Sequence, residues 1–156
     1  MTLHPRVETV ANALSALGAT GDIRMLPDSA RTAQEAATAL GIEVGAIANS
    51  LIFDAEGEAI LILASGAHRV DVQKVSAEQN LPPLKRADAD FVRAATGQVI
   101  GGVAPLGHPA PLRTYVDTAL GAFDQIWAAA GHPHAVFPTT FDELVVLTGG
   151  APIEVD

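Results

Sequence analysis

The spacing of apolar residues along the chain predicts five helices. Near the start, Val7, Val10 and Leu14 recur with the period of one helix face. Each of the four later helices begins at a threonine or aspartate, whose side chain commonly caps a helix N-terminus. The predicted helices cover about residues 4–17, 32–40, 71–78, 88–96 and 140–148.

Two of these helices carry a stronger start signal. Thr32 and Glu35 have the spacing of a capping box, in which each side chain accepts a hydrogen bond from the main-chain N–H of the other residue. Thr140 and Glu143 repeat this spacing near the C-terminus. Gly41 stands where a left-handed glycine often ends a helix, so the second helix is predicted to end there.

Apolar runs without a helical period predict strands. The runs 47–53 and 59–64 are separated by Asp-Ala-Glu-Gly, a turn composition, and therefore predict a hairpin. We expect both of its strands to be buried on two faces. Further short strands are predicted at residues 23–26, 113–116, 126–130, 135–137 and 152–155, with a turn of helix at 120–123.

This mixture of helices and strands predicts an α+β fold. The chain has 156 residues, which is within the size of a single domain and enough to bury a core, and it contains no repeat or linker. We expect one domain over residues 1–156, with short helices around a curved, mixed and largely antiparallel sheet.

Composition excludes several classes of protein. Apolar residues make up 49% of the chain and charged residues 17%, which argues against disorder. No apolar run approaches the roughly 20 residues of a membrane span, and the first ten residues lack the layout of a signal peptide. The absence of cysteine excludes disulfides and thiolate nucleophiles. We therefore expect a cytoplasmic protein without a membrane partner.

The formal net charge of −9 argues against broad electrostatic binding of DNA or other nucleic acid, because that mode needs a basic face. Basic residues are nevertheless concentrated in the segment 69–93, which is about neutral while the remainder is acidic. Lys85, Arg86 and Arg93 in this segment are candidates for a local contact with a polyanion. An ordinary solvated surface is the alternative.

The segment 101–108, Gly-Gly-Val-Ala-Pro-Leu-Gly-His, has an unusual backbone composition. Glycine reaches positive φ without penalty, and proline fixes φ and lacks an N–H. A rigid bend of this kind can present main-chain N–H groups on one side, where they bind an anion or stabilise an oxyanion. A plain tight turn between two strands is the other interpretation.

Five stretches in a fixed order carry a resemblance to a known family: residues 29–37, 61–66, 87–92 with 95–97, 101–108 and 128–132. Together they resemble the YbaK family of aminoacyl-tRNA deacylases, which are related to the editing domain inserted in bacterial prolyl-tRNA synthetases. The resemblance covers about residues 23–155. It implies the fold of that editing domain and a trans-editing hydrolase, which removes a small amino acid from mischarged tRNA by ester hydrolysis.

The resemblance also implies a set of site residues. It makes Gly101 to Pro105 the Gly-x-x-x-Pro loop of the family, whose main-chain N–H groups face the scissile carbonyl. It implies that the acceptor end of aminoacyl-tRNA is the partner, that a ribose hydroxyl of the substrate helps to activate water, and that neither a metal nor another cofactor is needed. The catalytic candidates are Gly101, Gly102, Val103, Ala104, Pro105 and Asn49; the substrate-binding candidates are Ser50, Ser65, Gly66, His108 and His132; the tRNA-binding candidates are Lys85, Arg86 and Arg93.

Asn49 is a departure from the family pattern. Members with established deacylase activity carry a lysine at this position, before Ser/Thr-Leu, whereas this chain has Asn49-Ser50-Leu51. A neutral amide forms hydrogen bonds but lacks the charge of an ammonium. Two alternatives to the editing enzyme therefore stay open: a binding module for an aminoacyl or nucleotide end that has lost hydrolysis, and an esterase that acts on a small acylated metabolite.

The histidines and the single tryptophan have competing interpretations. His108 follows the glycine-rich loop and either reaches the bound adenosine or ester, or closes the bend by a structural hydrogen bond. His132 and His134 flank a proline in a predicted turn, and with His108 they form a possible three-histidine metal site, although no supporting carboxylate is nearby in sequence. Trp127 is predicted to be a core residue of its strand, with base stacking as the alternative.

Overall fold

A mixed sheet forms the centre of the computed structural model, which describes residues 4–19, 21–27 and 32–156. Among these residues its strands are β1 Arg24–Met25, β2 Ile47–Ala55, β3 Glu58–Ser65, β4 Lys85–Arg86, β5 Arg113–Asp117, β6 Ile126–Ala129, β7 Ala135–Thr139 and β8 Ala151–Ile153. Their order is β1-β7-β6-β2-β3-β5-β8, and β4 also pairs with β2. The pairs β2–β6, β3–β5 and β5–β8 are parallel and the others antiparallel, as expected for a mixed sheet.

The predicted hairpin is confirmed as β2 and β3, which pair from Ala48 with Ser65 to Ala55 with Glu58. Burial on both faces is confirmed for β3, since residues 60–65 are all buried. It is wrong for the middle of β2, where Asn49 is exposed and Ser50 and Leu51 are half-buried. The apolar run therefore hides a short stretch of strand that faces a cleft.

The five predicted helices are confirmed as α1 Pro5–Ala16, α2 Ala33–Leu40, α3 Val72–Glu78, α4 Ala89–Thr96 and α5 Phe141–Thr148. The capping box of α2 is complete, because the side chains of Thr32 and Glu35 each accept from the other's main-chain N–H. That of α5 is only half formed. Thr140 accepts from the Glu143 N–H, while the Glu143 carboxylate accepts from the hydroxyl of Thr139.

Two apolar layers cover the two faces of the hairpin. Because side chains alternate along a strand, Leu61 and Leu63 pack in one layer with α1, whereas Ile60 and Ile62 pack in the other with Val75 of α3. No helix in the described part of the chain is long and apolar enough to cross a membrane.

Strand β2 has a gap along one of its edges. β3 occupies one edge from Ala48 to Ala55, whereas the other edge pairs with β6 at residues 47–48 and with β4 at residues 53–54. Residues 49–52 pair with no described strand on that second edge. The carbonyl of Ile47 accepts from the N–H of Gly66, just after β3, so by alternation the N–H and C=O of Ser50 point toward the gap.

Candidate functional site

Two adjoining cavities open at the gap in β2, and together we call them the cleft. The narrow pocket has a volume of about 90 Å³ and the wide pocket about 590 Å³. Both are lined by Asn49, Ser50, Gly101 and Val103. The narrow pocket is completed by α2, β6 and Pro133, and it includes the half-buried ring of Trp127. Trp127 is therefore part of a pocket wall.

The glycine-rich loop forms one wall of the cleft and uses its N–H groups in two ways. It joins α4 to β5, so the prediction of a turn between two strands does not describe it. The N–H of Gly102 donates to the carbonyl of Val99, and the N–H of Ala104 donates to Oε1 of Gln98 at 2.6 Å. The N–H groups of Gly101 and Val103 make no hydrogen bond with any described residue. Gly101 and Val103 are also the two residues of this loop that line both pockets.

The two glycines at the start of the loop are required for different reasons. Gly101 has a φ of +89°, which is unfavourable for a residue with a side chain, yet a Cβ there would meet nothing within 4 Å. A Cβ on Gly102 would instead lie 2.7 Å from the carbonyl carbon of His132. Conformation thus requires glycine at 101, and close packing against the 132–133 backbone requires it at 102.

Two side chains, those of Gln98 and His108, bind the main chain of Ala104 and fix the loop; we call them the clamp. Gln98 is buried and accepts from the Ala104 N–H, while Nε2 of His108 donates to the Ala104 carbonyl at 2.8 Å. Gln98 is itself held by Thr96, whose hydroxyl accepts from the Gln98 N–H. Burial lowers the pKa of His108 below its usual value, and the bond to Ala104 opposes this in part. His108 lines a separate cavity behind the loop, so its observed contact is the structural hydrogen bond.

Ser50 contributes two hydrogen-bonding groups to the cleft. Its main-chain N–H faces the gap in β2 and makes no bond with a described residue. Its hydroxyl is buried and likewise has no partner among the described residues. A buried polar group without a partner costs about 1–3 kcal/mol, so it usually has a functional reason.

Of the predicted cationic residues, only Arg86 lines the cleft, where it lies in the wide pocket together with Arg69. Lys85 on β4 and Arg93 on α4 are exposed but belong to neither pocket wall. Asn49 is exposed and shared by both pockets. A side chain at position 49 therefore reaches the ligand-accessible space and keeps its contact with solvent.

Ser65 and Gly66 lie outside the two pocket walls. The hydroxyl of Ser65 is buried and donates to the carbonyl of Gly45 at 2.8 Å, and a Cβ on Gly66 would collide with the carbonyl oxygen of Val44. Both residues instead join the end of β3 to the segment before β2. Their position is set by packing between these segments. The resemblance of residues 61–66 to the family does not reveal this packing.

The histidines of the turn after β6 pack with a residue of the N-terminus. The ring of His132 lies 5.2 Å from that of His4 and 5.4 Å from that of His134, between ring centroids. His108 is not part of this group. The three histidines considered as a metal site, His108, His132 and His134, therefore do not lie together. In the described part of the chain, no three histidine or carboxylate side chains are grouped so that they could hold a metal ion.

Sequence analysis missed a histidine that lines the wide pocket. Nδ1 of His68 lies 2.9 Å from Oδ2 of Asp117. Asp117 is buried, and its carboxylate also accepts from the N–H groups of Ser65 and Ala119. The two residues meet because β3 and β5 are parallel neighbours whose carboxyl ends reach the same edge of the sheet. A histidine just after one strand and an aspartate that ends another were the available signals.

The family assignment rests on a match to the whole central part of the chain. Residues 27–147 match the family model described as the aminoacyl-tRNA editing domain. The chain belongs to this family. The resemblance inferred from the sequence is thus confirmed, and the matched region contains the cleft, the glycine-rich loop and the His68–Asp117 pair.

The chain is also similar to individual proteins, one of them with a solved structure. A solved structure of a proposed trans-editing enzyme for prolyl-tRNA synthetase is 42% identical, with a TM-score of 0.93 and 99% of each chain covered. The uncharacterized protein YwhH of Bacillus subtilis is 32% identical over 79% of this chain and 78% of its own length. The proline–tRNA ligase of Bacillus licheniformis is 32% identical over 66% of this chain, which spans 18% of that larger enzyme.

Proposed function

We propose that this protein is a trans-editing deacylase that hydrolyses the ester between a small amino acid and the terminal ribose of a mischarged tRNA. The observation that carries the proposal is the pair of N–H groups on Gly101 and Val103, which have no partner among the described residues and belong to two residues that line both pockets. The family assignment supports the same chemistry.

The two pockets suit the two sides of such an ester. The wide pocket, at about 590 Å³, is within the usual range for small-molecule sites and carries Arg69 and Arg86, which complement the terminal nucleotide and its phosphate. The narrow pocket, at about 90 Å³, is lined by Ala33, Ala48 and other mostly small residues and leaves room only for a small side chain. The scissile carbonyl then lies at their junction, beside Ser50.

The chemistry needs a water molecule, an acceptor for its proton and donors for the tetrahedral oxyanion. We assign the oxyanion to the Gly101 and Val103 N–H groups, since those of Gly102 and Ala104 are already used within the fold. Loss of one such donor typically lowers kcat by about 10²–10³-fold. Ser50 supplies a further N–H and a hydroxyl for the aminoacyl group.

A screen of the purified protein tests this proposal. It should hydrolyse tRNA charged with a small amino acid such as alanine or serine, and should spare tRNA charged with leucine or phenylalanine. Release of the bulky residues at the same rate would contradict the assignment of the narrow pocket. Failure to hydrolyse any charged tRNA would exclude the deacylase.

Asn49 favours a second candidate, a binding module without hydrolysis, because position 49 lacks the positive charge that the resemblance leads us to expect in an active deacylase. Exchange of Asn49 for lysine separates the two candidates. Position 49 is exposed, so an ammonium keeps its hydration and the melting temperature should hardly change. In a deacylase the new charge should raise kcat/KM about 10- to 100-fold if it stabilises the transition state alone.

Asn49→Met is the control for side-chain length without charge, and it should give no increase. A binding module would show no hydrolysis with any of the three residues at position 49. It would instead bind a non-hydrolysable aminoacyl-adenosine analogue, measured by calorimetry.

A further inference from the structure

We propose that His68 is the general base of the cleft and that Asp117 holds its ring in position, a role that rests on the proposed deacylase function. His68 lines the wide pocket together with Asn49 and Ser50. Its side chain is 30% exposed, whereas that of Asp117 is 2% exposed. The pair thus joins a ring that reaches the cleft to a carboxylate fixed in the core.

The hydrogen bond to Asp117 determines which ring nitrogen carries the proton. An ionised carboxylate can only accept a hydrogen bond, so Nδ1 of His68 is the donor in their 2.9 Å contact. In the neutral ring, Nε2 then has a free lone pair and points away from Asp117. Nε2 makes no hydrogen bond within the described part of the chain, so it is available to a ligand.

Asp117 is itself held rigidly. Oδ2 accepts from the Ser65 N–H at 3.0 Å, and Oδ1 accepts from the Ala119 N–H at 2.9 Å. A carboxylate fixed in this way orients the imidazole and stabilises its protonated form when it accepts a proton. The arrangement is therefore more constrained than a surface ion pair.

The other charged groups around His68 lie on two sides of its ring. Asp156 lies 3.7 Å from Nδ1, and Glu154 lines the acidic cavity behind the ring together with Asp117. Arg69 and Arg86 share the wide pocket on the cleft side. Carboxylates are thus on the Nδ1 side and cations on the side that receives the nucleotide.

The proposed step is balanced within the substrate and His68. The neighbouring ribose hydroxyl of the substrate helps to position the attacking water, and Nε2 accepts a proton from that water. The water oxygen forms a bond to the ester carbonyl carbon while the Gly101 and Val103 N–H groups bind the oxyanion. The bond from that carbon to the ribose oxygen then breaks. The imidazolium returns its proton to the departing ribose oxygen, which leaves a free amino acid, tRNA and neutral His68.

His68→Asn tests the proposal, because the asparagine amide takes the place of Nδ1 and can still donate to Asp117, while Nε2 is removed. We expect kcat for a small aminoacyl-tRNA to fall about 10²–10⁴-fold with little change in KM or melting temperature. The pH profile of the rate should also change, because the group that accepts the proton has been removed. The matched control is His4→Asn, which replaces an exposed histidine at the start of α1. This variant should keep the wild-type rate and pH profile.

The outcomes separate this proposal from the proposed function. If the wild type deacylates tRNA and His68→Asn keeps its rate and pH profile, His68 is not the base and the deacylase stands. If KM rises while kcat and the pH profile persist, His68 only binds substrate and the proposal is wrong. If the wild type hydrolyses no charged tRNA, the proposed deacylase function is wrong, and so is the role of His68 that rests on it.

Discussion

Ser50 and Ser65 carry the same hydroxyl group in two different environments. Its hydroxyl is buried in the cleft without a partner among the described residues, whereas the hydroxyl of Ser65, also buried, donates to Gly45. Under the proposed function, the Ser50 hydroxyl bonds to the substrate, whereas the Ser65 hydroxyl stabilises the fold. Removal of the hydroxyl should therefore affect the free energy of unfolding in opposite directions at the two positions.

We expect Ser50→Ala to leave the free energy of unfolding unchanged or to raise it by up to about 1 kcal/mol, because it removes an unsatisfied group. The same change should lower kcat/KM for aminoacyl-tRNA. Ser65→Ala is the control and should destabilise the protein by about 1–3 kcal/mol, because the Gly45 carbonyl loses its donor. Denaturant unfolding and deacylation kinetics measure both. A loss of stability in Ser50→Ala would show that its hydroxyl is already bonded in the free protein.

Gly101 gives a second test at the scale of one residue. Gly101→Ala should destabilise the protein by about 1–2 kcal/mol through its positive φ, and should lower kcat on the order of 10²-fold by moving an oxyanion donor. Gly18→Ala is the matched control, since Gly18 has a φ of +80° with open space around a Cβ and lies outside the cleft. Gly18→Ala should lower the free energy of unfolding by a similar amount and leave kcat unchanged. Equal rate losses in the two variants would support a purely structural loop.

At the scale of elements, the loop is held by Gln98 and His108, which bond the N–H and the carbonyl of Ala104. In the proposed deacylase, the Gly101 and Val103 donors are therefore ordered before substrate arrives, and this lowers the reorganisation needed in the transition state. The stability of this clamp depends on the charge state of His108.

Because burial lowers the pKa of folded His108, the unfolded chain, in which histidine titrates near 6.5, binds the proton more readily. The contribution of this group to stability is therefore full above about pH 6.5 and declines as the pH falls below it. We expect the melting temperature of the wild type to fall more between about pH 7 and pH 5.5 than that of His108→Gln, which keeps a neutral donor. Parallel curves for the two proteins would contradict this expectation.

The elements themselves were largely predictable from sequence, whereas the construction of the site was not. Capping residues and apolar periods predicted the five helices and the hairpin, because those signals are local. The gap in β2 depends on which strands approach residues 47–48 and 53–54, and the pairing of His68 with Asp117 depends on β3 lying beside β5. The free donors at Gly101 and Val103 depend on where the Gln98 side chain points. Such contacts between distant segments leave no periodic trace in the sequence.

At the scale of the whole molecule, a net charge of −9 opposes the approach of tRNA, so docking must depend on few cations. Arg86 lies in the cleft. Lys85 is exposed on β4, which pairs with β2, and Arg93 is exposed on α4, which precedes the glycine-rich loop. Both β2 and this loop contribute to the cleft walls. We propose that these two exposed residues contact the phosphates next to the terminal nucleotide.

Reversal of Lys85 and Arg93 to glutamate should weaken tRNA binding and reduce its salt dependence by roughly 0.7–0.9 in slope for each phosphate that the protein no longer neutralises. Reversal of Arg24 and Arg113, which are exposed and do not line the cleft, changes the net charge equally and is the control. Titrations at several salt concentrations measure both slopes. An equal loss of affinity in the two double variants would indicate general repulsion and no docking at this face.

The gap in β2 also affects how the protein avoids aggregation. A free strand edge can pair with a strand from another molecule, which is a common route to fibrils. On this edge of β2, the opening between β6 and β4 comprises residues 49–52, which pair with no described strand there. A strand of typical length, about 5–6 residues, would collide with these neighbours before it could form a ladder. An opening of this length admits a small ligand to Ser50 and excludes another polypeptide strand.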